Sequence, residues 1–309
     1  MRTLIRAALL VSLTLALAGC GSLGGFGIAD VVSGAASGDI SSSSKLEGLQ
    51  KTGEAIQSAS QEITPEQEYY IGRAVAATVL TIYKPWDNAK ANEYLNTLGE
   101  GLSRASILPE TFTGYHFLIM DTDDINAFGA PSGFVLVSRG LLRCAATEDE
   151  VAAVLAHEIG HVSLKHGLKA ISQGRWTEAA LQLAKFAGSN SDSGVLRSLT
   201  DSFGGVIGDI VKTMVTSGYS RDLEKDADLE AIRILHDVGY DPQALVRVLK
   251  RMETRLKPDG KDFAKTHPDP EVRIAYLNDA IKKQTPVAPT AARQVKARQA
   301  RYQSVMTGI

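Results

Sequence analysis

Apolar residues at helical and strand spacing divide the chain into a long series of helices with two short strand candidates among them. Thr64-Pro65-Glu66-Gln67 sets an N-cap residue, a proline at N1 and a glutamine at N3 in order, and predicts a helix to about Tyr83, ahead of Pro85. A second helix is expected from Asp87 to about Ser106. Tyr115 to Met120 and Gly133 to Val137 read as strands, the second entered through Pro131-Ser132 and left through Arg139-Gly140. Thr147-Glu148-Asp149-Glu150 has the form of a capping box and opens a helix from Glu148 to about Ser172. Its first half, with Ala152 to Ala156 unbroken, is apolar nearly all round, which predicts burial on every side. From Gly174 to Tyr219 amphipathic segments alternate with Ser/Gly breaks, and this region is a candidate lid. Ser220 caps a helix from Arg221 to about Val238, closed by Gly239 and Pro242; another follows to about Leu256, and a last one runs from near Pro270 to about Lys283. Beyond Pro286 the basic tail, with Arg293, Lys296, Arg298 and Arg301, reads as a solvated or frayed helix. The pattern is that of an α+β, mostly helical domain with one small β-sheet.

The first twenty residues follow a different logic. Arg2 and Arg6 precede an apolar run from Ala7 to Leu17, of signal-peptide length and too short to span a bilayer. Leu17-Ala18-Gly19-Cys20 follows at once and resembles a bacterial lipobox. The resemblance implies a lipoprotein signal peptide over 1–19, cleavage before Cys20 and lipidation of that thiol. Residues 20–62, rich in Gly and Ser and including Ser41 to Ser44, then read as a lipidated tether. Gly21 after the cysteine leans towards the outer membrane, with the chain on the periplasmic side. The folded domain is expected over 63–283, followed by a tail over 284–309.

Composition narrows the chemistry. The chain has 309 residues, 44% of them hydrophobic and 22% charged, and a formal net charge of -2, so no basic field argues for nucleic acid. With two cysteines there is no disulfide scaffold and no zinc site of four thiolates. Cys144 reads as a small buried hydrophobe. A metal must be held by His and carboxylate.

His157-Glu158-Ile159-Gly160-His161 supplies such groups. Residues four apart lie nearly above one another on a helix, so His157 and His161 present two imidazoles to one zinc ion. Glu158, rotated by about 100°, flanks the metal. Zinc lowers the pKa of a bound water to about 7, so a neighbouring carboxylate takes its proton at neutral pH and later returns it to a leaving amine. A third ligand on the same helix in the longer three-histidine pattern would need glycine at 164 and histidine at 167, where the chain has Leu164 and Gly167. The helix after Ser220 offers Glu224 and Asp228, four apart on one face, as a ligand and its support. The run Asp222, Glu224, Asp226 and Asp228 also suits a helix N-terminus on electrostatic grounds alone. His166, about 140° round from His161, is placed outside the ligand set, at the surface or behind a ligand. His116 and His236 read as structural.

Together these motifs are specific. Ala156 to His161 followed by His166, then Ser220 to Asp228, then Thr266-His267-Pro268, resemble the M48 family of zinc metallopeptidases. Asn126-Ala127-Phe128 with Pro131, Gly133 and Gly140-Leu141-Leu142 is similar to the family's segment before the catalytic helix, and Glu68 and Gly72 to its first helix. The resemblance covers about Ile63 to Lys283. It implies a gluzincin-like zincin domain with its sheet packed on the HExxH helix, and one Zn2+ per chain held by His157, His161 and Glu224. Glu158 would be the general base. Asp228 would support a zinc histidine, and Arg273 would lie nearby. His267 would face the metal as an oxyanion stabiliser or a displaceable fourth ligand. The family often has Glu where this chain has Asp226.

The expected activity is zinc-dependent hydrolysis of internal peptide bonds in misfolded or misassembled cell-envelope proteins. The alternatives are an envelope chaperone or assembly factor with mainly structural zinc, and a peptidoglycan cross-link hydrolase. Substrate is expected along Asn126, Phe128, Gly133, Phe134 and Val135, with Gly133 to Ser138 as a sheet edge that pairs with an extended peptide. An interior strand with no free edge is the competing reading.

Overall fold

The computed structural model describes residues 63–171, 204–255, 266–267, 270–285 and 291–309. The expected signal peptide, Cys20, the tether up to residue 62 and the first part of the expected lid lie outside the described residues. Helix α1 spans Pro65–Ile82 with the capping box complete: Gln67 N–H donates to the Thr64 hydroxyl and Thr64 N–H to the Gln67 side chain. Helix α2 spans Ala89–Ser103, capped by Asn88. The sheet holds β1 (His116–Met120), β2 (Ala127–Ala130) and β3 (Phe134–Ser138) in the order β1-β3-β2, with β1 parallel and β2 antiparallel to β3.

This order corrects the expectation for Gly133 to Ser138. β3 is paired on both sides and offers no edge. The outer side of β1 is covered as well, because helix α2 presents two asparagines whose amides match the peptide groups of a strand. Asn96 accepts from Phe117 N–H and donates to its carbonyl, Asn92 accepts from Ile119 N–H, and Trp86 N–H donates to the Ile119 carbonyl. The outer strand that remains is β2, which the sequence pattern did not reveal. Alternation along β3 splits the core: Val135 and Val137 join the larger cluster with α2 and the following helices, whereas Leu136 faces α1 and residues 206–214.

Helix α3, Glu148–Ser163, carries the histidine motif and is buried along nearly its whole length, as its apolar circumference predicts. Thr147 caps it by accepting from Glu150 N–H, but the Glu150 carboxylate turns to Ala146 N–H and Arg251 instead of closing a capping box. The helix stops nine residues short of the expected end at Ser172. Lys165 takes a left-handed conformation, φ 57°, and its ammonium reaches the buried Glu68 carboxylate at 3.1 Å. A single turn, His166–Lys169, follows in a new direction. Residues 204–217 are helical and bury Val206, Ile210 and Met214 on α1 and the sheet. Helices α4 (Arg221–Val238), α5 (Gln243–Glu253) and α6 (Pro270–Lys283) sit close to expectation, with Ser220 and Gly239 as the caps of α4. Among the described residues no helix is long and apolar enough to cross a membrane.

The C-terminal tail is a second correction. Its helix α7, Ala292–Met306, docks on the domain: Val305 is buried, and Tyr302 and Met306 pack on the main cluster. Arg301 forks onto the buried carboxylate of Glu148 at 2.5 and 3.1 Å, beside the hydroxyls of Tyr240 and Tyr94 at 3.0 and 3.4 Å. Arg298 lies over the Tyr240 ring and 3.5 Å from Asp149. Two of the four basic residues that read as solvated, Arg298 and Arg301, thus clamp the N-terminus of the motif helix, whereas Arg293 and Lys296 are exposed as read. Arg301→Ala is expected to cost about 1–2 kcal/mol, because Glu148 keeps its tyrosines and Arg301 is half exposed. A urea-unfolding midpoint equal to wild type would return the tail to a solvated role.

Candidate metal centre

Close backbone contact brings α3 and α4 together. At Gly160 an added Cβ would sit 2.8 Å from the Ala227 carbonyl oxygen, so any other residue would force the helices apart. The crossing sets Glu224 and Asp228 against His157 and His161, and all four are buried. Four side chains converge, His157, His161, Glu224 and His267, with one ligand atom from each lying within 4.8 Å of all the others.

The separations suit a tetrahedral metal. Bonds of about 2.0–2.1 Å place the ligand atoms of such a site about 3.3 Å apart. His157 Nε2 lies 3.2 Å from His161 Nε2 and 3.5 Å from His267 Nδ1. Glu224 lies 3.2 Å from His161 Nε2, 3.6 Å from His157 Nε2 and 2.8 Å from His267 Nδ1. Protonation supports the same conclusion. The Nδ1–H of His157 donates to Asp228 at 2.9 Å, which leaves Nε2 as the ring nitrogen without a proton. The Oε2 of Glu224 is buried without a hydrogen bond. A set of lone pairs turned inward on one point repels itself unless a cation sits there. The residues present fit zinc.

Asp228 does more than orient His157. Arg273 forks onto it at 2.6 and 2.9 Å, and the Tyr276 hydroxyl donates to it as well. Burial alone would raise the Asp228 carboxyl, but Arg273 and His157 outweigh it and hold it well below the usual carboxylate range. Glu224 follows the same balance: burial raises it, and His267 and His161 together bring it well below its ordinary value. Burial and the Arg273 charge lower His157 to about 4, so it stays neutral as a ligand must.

Glu158 is buried beside this cluster without belonging to it. Burial pushes its carboxyl up to about 7, with the Glu224 charge adding and His161 opposing. The backbone N–H of Gly129 on β2 donates to it, and that approach needs glycine: an added Cβ would stand 2.6 Å from the Glu158 carbonyl oxygen. Its Oε1 is buried with no partner, a lone pair held ready beside the ligand atoms.

The other expected site residues divide. Asn126 is buried next to the centre; its side-chain Oδ1 accepts from Ala127 N–H and from the hydroxyl of Thr266, the residue before His267. Phe128 instead packs on Tyr83 in the second core, Val135 is fully buried in the main one, and Phe134 stacks with Tyr69 and His116. Phe128 and Val135 are therefore held by packing in the two cores. Sequence reasoning missed Gly129, Tyr276 and Tyr219. His166 lies behind a ligand, the second of its two expected places: the left-handed turn at Lys165 folds it back until its Nδ1 is 3.0 Å from His161 Nδ1.

Comparison with known proteins decides the family. Residues 89–281 match Peptidase family M48. The chain belongs to that family. M48 is a peptidase family, and His157, His161, Glu224 and His267 are the buried residues of this chain that could hold a metal ion. It is 28% identical over 272 residues to the beta-barrel assembly-enhancing protease of Yersinia pestis, covering 83% of this chain and 53% of that protein. It is 31% identical over 172 residues to the metalloprotease YcaL of Escherichia coli, covering 55% and 63% respectively. The mitochondrial metalloendopeptidase OMA1 of Arabidopsis thaliana is 29% identical over 171 residues, 54% of this chain and 31% of that one. The M48 chain thus spans about half the length of the Yersinia relative it matches.

Proposed function

We propose that this M48 peptidase hydrolyses internal peptide bonds of misfolded or misassembled cell-envelope proteins, anchored through lipid on Cys20 at the periplasmic face of the outer membrane. The observation that carries the chemistry is the partnerless Glu158 oxygen beside four converging ligand atoms. His157, His161 and Glu224 would hold a zinc ion, which would supply polarisation of the scissile carbonyl and a water acidic enough to be deprotonated at neutral pH. Glu158 takes that proton through its free Oε1 and delivers it to the leaving amine. Gly129 keeps the carboxylate in place. Asp228 and Arg273 fix the His157 ring. His267 would offer a fourth ligand atom to that zinc, and would then have to withdraw for substrate to enter.

The substrate class rests on three supports. The lipobox-like Cys20 segment points to the envelope. Relatives include proteins named for enhancing beta-barrel assembly. An extended chain laid along β2, the outer strand next to Glu158, would pair through its backbone, which reads shape more than sequence and favours unfolded polypeptide.

Ligation by His267 would favour one rival, an assembly factor whose zinc is structural. The deciding experiment offers the zinc-loaded protein a denatured outer-membrane β-barrel protein, the same protein folded, and muropeptides. Cleavage of the denatured form alone is expected. Cleavage of muropeptides, or rescue of a deletion strain by the Glu158→Gln variant, would overturn the proposal.

A further inference from the structure

Several buried polar atoms around the centre lack a hydrogen-bond partner: Glu158 Oε1, Glu224 Oε2, His166 Nε2 and the Tyr219 hydroxyl. The first two have uses in the chemistry already described. The Tyr219 hydroxyl has none, and its setting is specific. The Tyr219 ring stacks on the ligand His161, centroids 4.4 Å apart at 22°, with the His166 ring 6.1 Å away. Its backbone N–H donates to the Thr266 carbonyl at 3.3 Å, which ties it to the strap that carries His267.

Stacking needs only the ring, and phenylalanine would supply it. A buried hydroxyl with no partner weakens a fold, so tyrosine at this position is a structural cost. The hydroxyl also has a proton to donate and no acceptor in the fold to take it. Meanwhile His267 Nδ1 is engaged in the ligand cluster, 2.8 Å from Glu224, and does not stand free to meet a substrate oxygen.

We propose that Tyr219 is a catalytic residue of this site, its hydroxyl donating a hydrogen bond to the scissile carbonyl oxygen as that oxygen becomes negative. This rests on the peptidase reading of the centre. The water oxygen adds to the carbonyl carbon, its proton passes to Glu158, and the carbonyl oxygen takes up the negative charge. That charge returns to re-form the carbonyl as the C–N bond breaks, and Glu158 protonates the departing amine. Tyr219 keeps its own proton throughout and offers the donor where charge develops, which is where a donor contributes most.

The test compares wild type, Tyr219→Phe and Glu158→Gln as zinc-loaded full chains, with β-casein as substrate and a phosphonamidate peptide as a tetrahedral anionic inhibitor. For Tyr219→Phe, kcat is expected to fall by about 10²–10³-fold with KM within about 3-fold. Phosphonamidate affinity should fall in parallel and bound zinc stay equal to wild type. The melting temperature of the metal-free protein should be unchanged or higher, an outcome that a structural hydroxyl would not give. Wild-type kcat and phosphonamidate affinity in Tyr219→Phe overturn the inference, and so does a lowered melting temperature. Failure of the peptidase reading looks different: wild type would then cleave no better than Glu158→Gln.

Discussion

Replacing Glu158 with Gln is expected to stop peptide-bond hydrolysis while leaving zinc bound. The substitution keeps the shape of the side chain in a site where it is 1% exposed, and its Oε2 contact with Gly129 survives through the amide oxygen. What it removes is the lone pair at Oε1 that has no partner in the fold and accepts the proton. General acid–base catalysis contributes about 10²–10⁴-fold, and kcat on unfolded β-casein should fall by at least that much. Zinc content by atomic absorption should match wild type, because Glu158 lies outside the group of ligand atoms. Glu224→Gln, by contrast, should lose metal, since it removes the anionic ligand 3.2 Å from His161. A Glu158→Gln protein within tenfold of wild type would assign the base to another residue.

The centre was legible because its parts are local. His157, Glu158 and His161 are set by helical spacing alone, and Glu224 and Asp228 share a face for the same reason. What the sequence did not disclose depends on distant partners. β2 is four residues of Ala, Phe and Gly without a β-branched side chain, and it is extended because β3 pairs with it. The early end of α3 is set by Lys165, whose left-handed turn is held by an ion pair to Glu68 in the first helix. That turn converts His166 from a residue on another face into a neighbour of His161. Arg301 read as solvated because its partner, Glu148, lies 153 residues earlier in the chain. The edge strand was assigned to β3 because its residues have strand character, but strand character says nothing of position in the sheet. Position was decided by the asparagines of α2, which close the β1 side.

Asp228→Asn should give the largest loss of stability and also weaken the metal site. Asp228 and Arg273 are at most 1% exposed, and the guanidinium forks onto the carboxylate at 2.6 and 2.9 Å. Asparagine keeps the volume but turns an amide N–H₂ towards a guanidinium, donor against donor, and leaves the Arg273 charge buried. Breaking a buried pair in this way costs about 3–5 kcal/mol, read as a fall in the urea midpoint. The same change weakens the acceptor for His157 Nδ1–H, so the ring loses its fixed tautomer and zinc affinity should drop about 10–100-fold. The two effects separate in the double variant Asp228→Asn/Arg273→Met. Removing that charge should recover most of the stability, because an apolar chain of similar length is cheaper to bury than a cation that has lost its closest carboxylate. It should recover none of the zinc affinity, because the carboxylate behind His157 is still missing. If stability and affinity return together, Asp228 acts on the metal only by holding the fold; if neither returns, the buried Arg273 charge is not the source of the loss.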